Sequence, residues 1–172
     1  MVTVYFENVM GKKNPTVGIV NIGTEEEKGN QLVKETYPLL KECEGINFIG
    51  SVEAREIASG GADILVCEAF VGNVILKFFE GVELTFLGCI KEGLMSSLRT
   101  KLGALMVKPA LKGLVKTFDV SSQGGAPLLG LKGLVVKAHG NSKAKEIKTA
   151  LCQCIAFKEN SINEKITDMI QK

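Results

Sequence analysis

The sequence predicts an α/β fold, an open and mostly parallel sheet with helices on both faces. Three observations carry this. Residues 17–22 and 62–70 are short apolar runs bounded by turn residues, as strands buried on both faces are. Helix-periodic stretches follow each run, the alternation expected of strand–helix–strand units. Glycines mark the strand exits, at Gly23, at Gly72 and further on at Gly140.

In chain order, residues 1–10 read as the tail of a helix closed by Gly11, with Pro15 beyond it. The first strand is 17–22. Residues 25–43 read as a helix whose apolar side holds Leu32, Val33, Leu39 and Leu40, with Pro38 expected to kink or break it. A second short strand covers 46–52, and a short helix ending in glycines follows. The third strand is 62–70. Residues 73–102 have a long helical period, weakened by Gly81, Gly88 and Gly93. Gly103 and Pro109 divide residues 96–118 into two helical pieces around an apolar tip. A fourth strand of the sheet falls around 134–138. Helices cover 142–157, capped by Asn141 or Ser142, and 161–171. The expected organisation is one α/β domain over residues 1–172, with 94–118 as a protruding amphipathic hairpin.

At 172 residues the chain has room for one domain with a real core, or for half of a larger one. A net charge of +2 argues against a dedicated nucleic-acid binder. No apolar run approaches the about 18 residues of a membrane span, and residues 1–15 have no signal-peptide pattern. The five cysteines include no CxxC pair, and His139 is the one histidine, so no zinc-site spacing occurs. The cysteines are expected to be reduced and mostly buried.

Ligands of open α/β sheets sit outside the carboxyl ends of the strands, and three exits here carry chemistry. At the first, Gly23 permits a turn, and Glu25, Glu26 and Glu27 suit a helix N-terminus. Lys28 does not, unless an anion comes to it. At the second, Asn73 is an N-cap, a donor aimed into the cleft, or both. At the third, His139 beside Gly140 is structural or functional. In the hairpin, Leu105, Met106 and Leu111 lie among Arg99, Lys101, Lys108, Lys112 and Lys116, with no carboxylate before Asp119. Such a tip packs on a partner, or rests on a membrane with its lysines at anionic head groups.

Five blocks in order and spacing complete the reading: "NPTVGIVNIGTEEEKGN", "INFIGSVEAREI", "ADILVCEAFVGNVILKFFEGV", "KLGALMVKPALKGL" and "GGAPLLGLKGLVVKAHGNS". Together they resemble the C-terminal half of the bacterial phosphate acyltransferases of phospholipid synthesis (the PlsX family). The resemblance implies a three-layer fold similar to the isocitrate and isopropylmalate dehydrogenases. It implies a cytoplasmic homodimer held peripherally at the inner face of the membrane. The activity implied is transfer of a fatty acyl group from acyl carrier protein (ACP) to inorganic phosphate, giving acyl phosphate, with no metal or organic cofactor. It matches Lys28 and Asn73 to the catalytic pair, with Gly23, Gly29, Gly72, His139 and Gly140 around the phosphate. Leu105, Met106 and Leu111 become the membrane contact. Where the family usually reads C-D-G-F-T-G-N, this chain has Cys67, Glu68, Ala69, Phe70, Val71, Gly72 and Asn73. The family's N-terminal half has no counterpart in these residues. The chain is therefore expected to be a truncated product, a fragment or one piece of a split enzyme, with little transfer activity by itself. The alternatives are a non-catalytic remnant that dimerises or binds ACP or membrane, and a short-chain phosphate acetyl- or butyryltransferase.

Overall fold

Val17, Ile19 and Val20 are buried because their strand, β1 (Thr16–Asn21), is the centre of a parallel sheet. Its neighbours are β2 (Asn47–Glu53) and β3 (Ile64–Val66), in the order β2-β1-β3. A strand flanked on both edges and covered on both faces needs no alternation of polar residues. These assignments come from a computed structural model that describes residues 1–118, 124–140 and 142–171. Two compact units are present, Met1–Cys67 with Gln123–Lys172, and Glu68–Ser122.

In the first unit, helix α2 (Gln31–Lys41) packs on β1 and β2. Its buried Tyr37 meets Phe48 edge-on, with ring centroids 5.2 Å apart. A bulge places Val17 opposite Phe48 but Gly18 opposite Gly50, and Gly50 takes φ +94 to allow it. A short helix α3 (Ala54–Ile57) follows β2. Three further helices, α1 (Val2–Asn8), α6 (Ala144–Glu159) and α7 (Ile162–Ile170), share a second cluster of Val4, Phe157, Ile162 and Ile166. Tyr5 stacks on Phe157 at 5.3 Å.

One polar clamp sets the start of β1 against the start of β3. The Asp63 carboxylate accepts from the Thr16 N–H at 2.9 Å and the Thr16 hydroxyl at 3.0 Å. The Asp63 N–H donates back to Thr16 Oγ1 at 2.9 Å, and the Lys12 ammonium binds the other carboxylate oxygen. This pairing fixes the register one step on, Val17 beside Ile64.

The second unit is a helix pair, α4 (Ala69–Met95) and α5 (Leu98–Phe118). Its turn lies at Ser96–Ser97, where Ser97 and Thr100 cap each other: the Ser97 N–H donates to Thr100 Oγ1 and the Thr100 N–H to Ser97 Oγ.

Several expectations need correction. The helix expected from residue 25 begins at Gln31, because Gly29 has φ +101, outside the helical region. Pro38 lies inside α2, which ends three residues later. The third strand stops at Val66, since the Glu68 carboxylate accepts from the Phe70 and Val71 N–H groups and starts α4. Gly103 and Pro109 do not break α5, so the turn of the pair lies earlier, at the serine caps. The expected fourth strand is β5 (Val136–Lys137), which joins no parallel strand. It pairs antiparallel with β4 (Ala126–Pro127) through a local turn with Gly130 at φ +84. Helix α6 has Lys143 at its N-cap, its N–H bonded to Glu146 at 2.7 Å. Ser142 precedes that cap, and Asn141 lies outside the described residues. Cys43, Cys67, Cys89 and Cys152 are exposed rather than buried, on helix surfaces and loops, and none of the five cysteines is in a disulfide.

The Lys12 ammonium and Thr16 N–H that bind Asp63 hold its carboxyl below the ordinary value of 3.8. The stability it adds is therefore present above that value and lost as pH falls through the folded-state pKa. Asp63→Asn is expected to lower the denaturation midpoint at pH 7 and to flatten the acid limb. A pH–stability curve unchanged by the substitution would show the clamp to be idle.

Candidate active site

The loop after β1 is built on a buried amide. Asn21, the last residue of β1, is 6% exposed. Its Nδ2 donates to the Lys28 carbonyl at 3.2 Å and to Ser51 Oγ at 3.0 Å. Its Oδ1 accepts from the Ile22 N–H at 2.8 Å. The strand end is thus tied to the far end of the loop, seven residues on, and to β2. Gly29 is required there twice. It has φ +101, and a Cβ at that position would fall 2.6 Å from Asn21 Oδ1. Asn30 then caps α2, its side chain accepting from the Val33 N–H at 2.9 Å.

The charges of this loop have separate partners. Glu26 binds the Lys41 ammonium at 2.7 Å and accepts from the Tyr37 hydroxyl at 3.4 Å. The Lys41 hydrogen bond holds the Glu26 carboxyl below its usual range. Among the described residues, the ammonium of Lys28 pairs only with Glu25, 3.8 Å from the carboxylate, both side chains about half exposed. Such a pair is weak and solvent-screened, so an arriving anion can displace it. Gly23 sits within the same loop, its Cβ direction 3.3 Å from Lys28 Cγ.

Lys28, Gly23 and Gly29 are thus brought together in the first unit. Gly72 and Asn73 lie in the opening turns of α4, in the second. Asn73 is exposed, and the N-cap is Glu68, so the capping alternative for Asn73 is excluded. His139 and Gly140 form a turn closed by the Ser142 N–H on the His139 carbonyl at 3.1 Å. That turn leaves the antiparallel pair, so it is not an exit of the parallel sheet. The helix after Gly23 begins eight residues later than Gly23 itself, so the first-turn role expected for Glu25 to Glu27 does not apply.

Residues 1–165 match the family described as fatty acid synthesis protein. The chain belongs to that family. It is 52% identical over 169 residues to the phosphate acyltransferase of Clostridium acetobutylicum, covering 98% of this chain and 51% of that relative. It is 53% identical to the phosphate acyltransferase of Clostridium perfringens, covering 98% and 50%. With that of Caldicellulosiruptor bescii the identity is 50%, over 94% of this chain and 48% of the relative. The chain spans about half the length of the curated relatives it matches.

Against the family's strand-exit pattern, Glu68 still caps α4 through two backbone N–H groups, at 2.7 and 2.6 Å. Ala69 is the first residue of the helix, where its methyl is exposed. Neither departure disturbs the helix that carries Asn73. The residue that sequence reading missed is Asn21. Its signal was present: one amide in an otherwise apolar run, "VGIVNIG".

Asn21→Ala leaves the Ile22 N–H and Lys28 carbonyl without that partner. We expect a loss of about 1–3 kcal/mol in stability, with faster amide hydrogen exchange at Ile22. Unaltered exchange there would mean the loop is held by other contacts.

Proposed function

We propose that this chain carries the Lys28 and Asn73 part of a site that transfers a fatty acyl group from ACP to inorganic phosphate. A phosphate oxygen attacks the thioester carbonyl, the C–O bond forms, and the C–S bond breaks. The carrier leaves as a thiolate and takes up a proton from solvent, and acyl phosphate remains for phospholipid synthesis. The carbonyl oxygen gains negative charge in the transition state, which an ammonium and a side-chain amide both stabilise. The observation that carries this reading is the Lys28 loop, which presents a weakly paired ammonium on a backbone pinned by Asn21 and Gly29. The phosphate acyltransferase relatives support it. In this reading Gly72, His139 and Gly140 add contacts to phosphate, no cofactor takes part, and the fold follows the isocitrate dehydrogenase arrangement.

Joined to the N-terminal half of the Clostridium acetobutylicum relative, this chain is expected to release ACP from acyl-ACP only when phosphate is present. Lys28→Ala and Asn73→Ala should each lower turnover by about 10²–10³. Full turnover after Lys28→Ala would remove that residue from the chemistry.

The same reading places the protein in the cytoplasm, at the membrane surface and as a homodimer. Among the described residues no helix is long and apolar enough to cross a membrane. On α5, however, Leu98, Leu102 and Leu105 recur at i, i+4 and i+7 from the Ser96–Ser97 turn, all exposed, with Met106 beside them at 85%. Arg99, Lys101 and Lys108 flank this stripe. Apolar insertion plus anionic head groups suits reversible surface binding. Leu111 has a different place, lining a groove between α5 and α4. Flotation is expected with anionic but not zwitterionic vesicles, and Leu105→Glu with Met106→Glu should abolish it while helicity is kept. If the double variant unfolds or loses its partner subunit instead, the stripe is an interface and the membrane reading fails.

A further inference from the structure

Glu25 and Lys28 meet over one residue. Gly23 is buried, and its φ is not left-handed, so it serves by leaving space rather than by its conformation. A Cβ there would stand 2.7 Å from Glu25 Oε2 and 3.3 Å from Lys28 Cγ. The carboxylate and the lysine stem therefore both lie against the Gly23 backbone. A turn holds them in step, the Lys28 N–H donating to the Glu25 carbonyl at 3.1 Å. The ammonium and the carboxylate face each other at 3.8 Å, both about half exposed. An anion that reaches Lys28 therefore also meets Glu25. We propose that Glu25 makes this site selective for phosphate over fully ionised oxyanions such as sulfate. The identity of the anion rests on the acyl-transfer reading above; the selection concerns binding alone.

Lys28 by itself does not discriminate. An ammonium is a compact point charge with three rotatable donors, and it serves any small oxyanion. An ionised carboxylate only accepts hydrogen bonds. Sulfate carries no proton near neutral pH, so it sets acceptor against acceptor and charge against like charge. Inorganic phosphate keeps at least one proton under the same conditions. Its P–OH donates to Glu25 while an unprotonated oxygen accepts from Lys28, and both bonds are charge-assisted. The proton stays on the phosphate, and no covalent bond changes. Phosphate thus separates the ion pair and re-engages both partners, whereas sulfate separates it and leaves Glu25 opposed. Discrimination of this kind comes from the repulsive element as much as from the attractive one.

The geometry suits the exchange. At 3.8 Å the pair is longer than a hydrogen bond, so no short contact has to be broken when the anion enters. The neighbouring Glu26 is committed elsewhere, to the Lys41 ammonium at 2.7 Å and the Tyr37 hydroxyl at 3.4 Å. The Glu25 side chain holds no backbone group of the loop, whose closure runs through Asn21 and Gly29. Its replacement therefore changes the site and leaves the loop standing.

The test is anion binding to the full chain. Its lysines are reductively methylated with ¹³C, which keeps their charge, and the Lys28 resonance is identified by its loss in Lys28→Arg. That resonance is followed during titration with sodium phosphate and with sodium sulfate at matched ionic strength. The site is half exposed, so a preference for phosphate of about tenfold is expected, far below that of a buried site. Glu25→Gln adds an amide donor, and sulfate is then expected to bind nearly as well as phosphate. Equal affinity for the two anions in the unaltered chain would overturn the proposal. So would a preference that Glu25→Gln leaves intact, or a Lys28 resonance that neither anion moves. In the joined enzyme, sulfate is expected to inhibit the Glu25→Gln form more strongly than the unaltered one. If the preference is lost as expected but no acyl phosphate is made, the transfer chemistry fails and the selection stands. If acyl phosphate forms and sulfate inhibits both forms alike, the selection fails and the chemistry stands.

Discussion

A single buried amide governs the region around Lys28. Asn21 ends the central strand inside the core, where an unsatisfied polar group is costly. Its donors and acceptor must be met by whatever backbone comes near, and the chain answers by returning the Lys28 carbonyl to it. That return fixes the length of the loop. It also forces Gly29 into the left-handed region, ends any helix that might have formed across residues 25–29, and leaves Asn30 to begin α2. The position of the lysine follows from the needs of the asparagine. The same amide reaches Ser51, so the loop is referenced to two strands rather than one.

The acidic run before Lys28 gains sense once its partners are known. A row of three glutamates beside a lysine suggests mutual neutralisation. In the structure Glu26 turns to Lys41 and Tyr37, fastening the loop to the body of α2. Glu25 stays near Lys28 at a distance that screens the charge without holding it. The loop therefore combines a fixed backbone with a loosely engaged ammonium, the combination that binding a diffusing anion requires.

How much of this could be read in advance depended on whether the deciding contact was local in sequence. The strands 17–22 and 46–52 were legible because apolar runs between turn residues have few other solutions. Lys28 was singled out as a cation at an expected helix start, although the helix itself begins only at Gln31. The start of α2 was not legible, since it turns on a contact between Asn21 and Lys28 that no periodicity records. The end of β3 was missed for the same reason: Glu68 acts as a cap only once its carboxylate has folded onto Phe70 and Val71. In α5, glycine and proline were weighed as breakers, yet propensity is a weak prior, and the serine and threonine caps at Ser97 and Thr100 decided where the turn falls. The strand before His139 was recognised as extended but not given its true partner, because β4 lies only nine residues before it and pairs locally.

The helix pair has one further property. Gly72, Gly81, Gly88 and Gly93 lie within α4, and Gly103 and Gly113 within α5, together with Pro109. Each interior glycine disfavours the helix by about 1 kcal/mol relative to alanine, and proline by about 3. Two helices so composed hold their form through packing rather than intrinsic preference, and much of their apolar surface is open in the single chain. Anything that covers that surface raises the stability of the pair by mass action, in proportion to the logarithm of its concentration. The order of α4 and α5 is therefore a reporter of occupancy: the unit is a thermodynamic gauge whose rigidity registers how fully its apolar surface is covered.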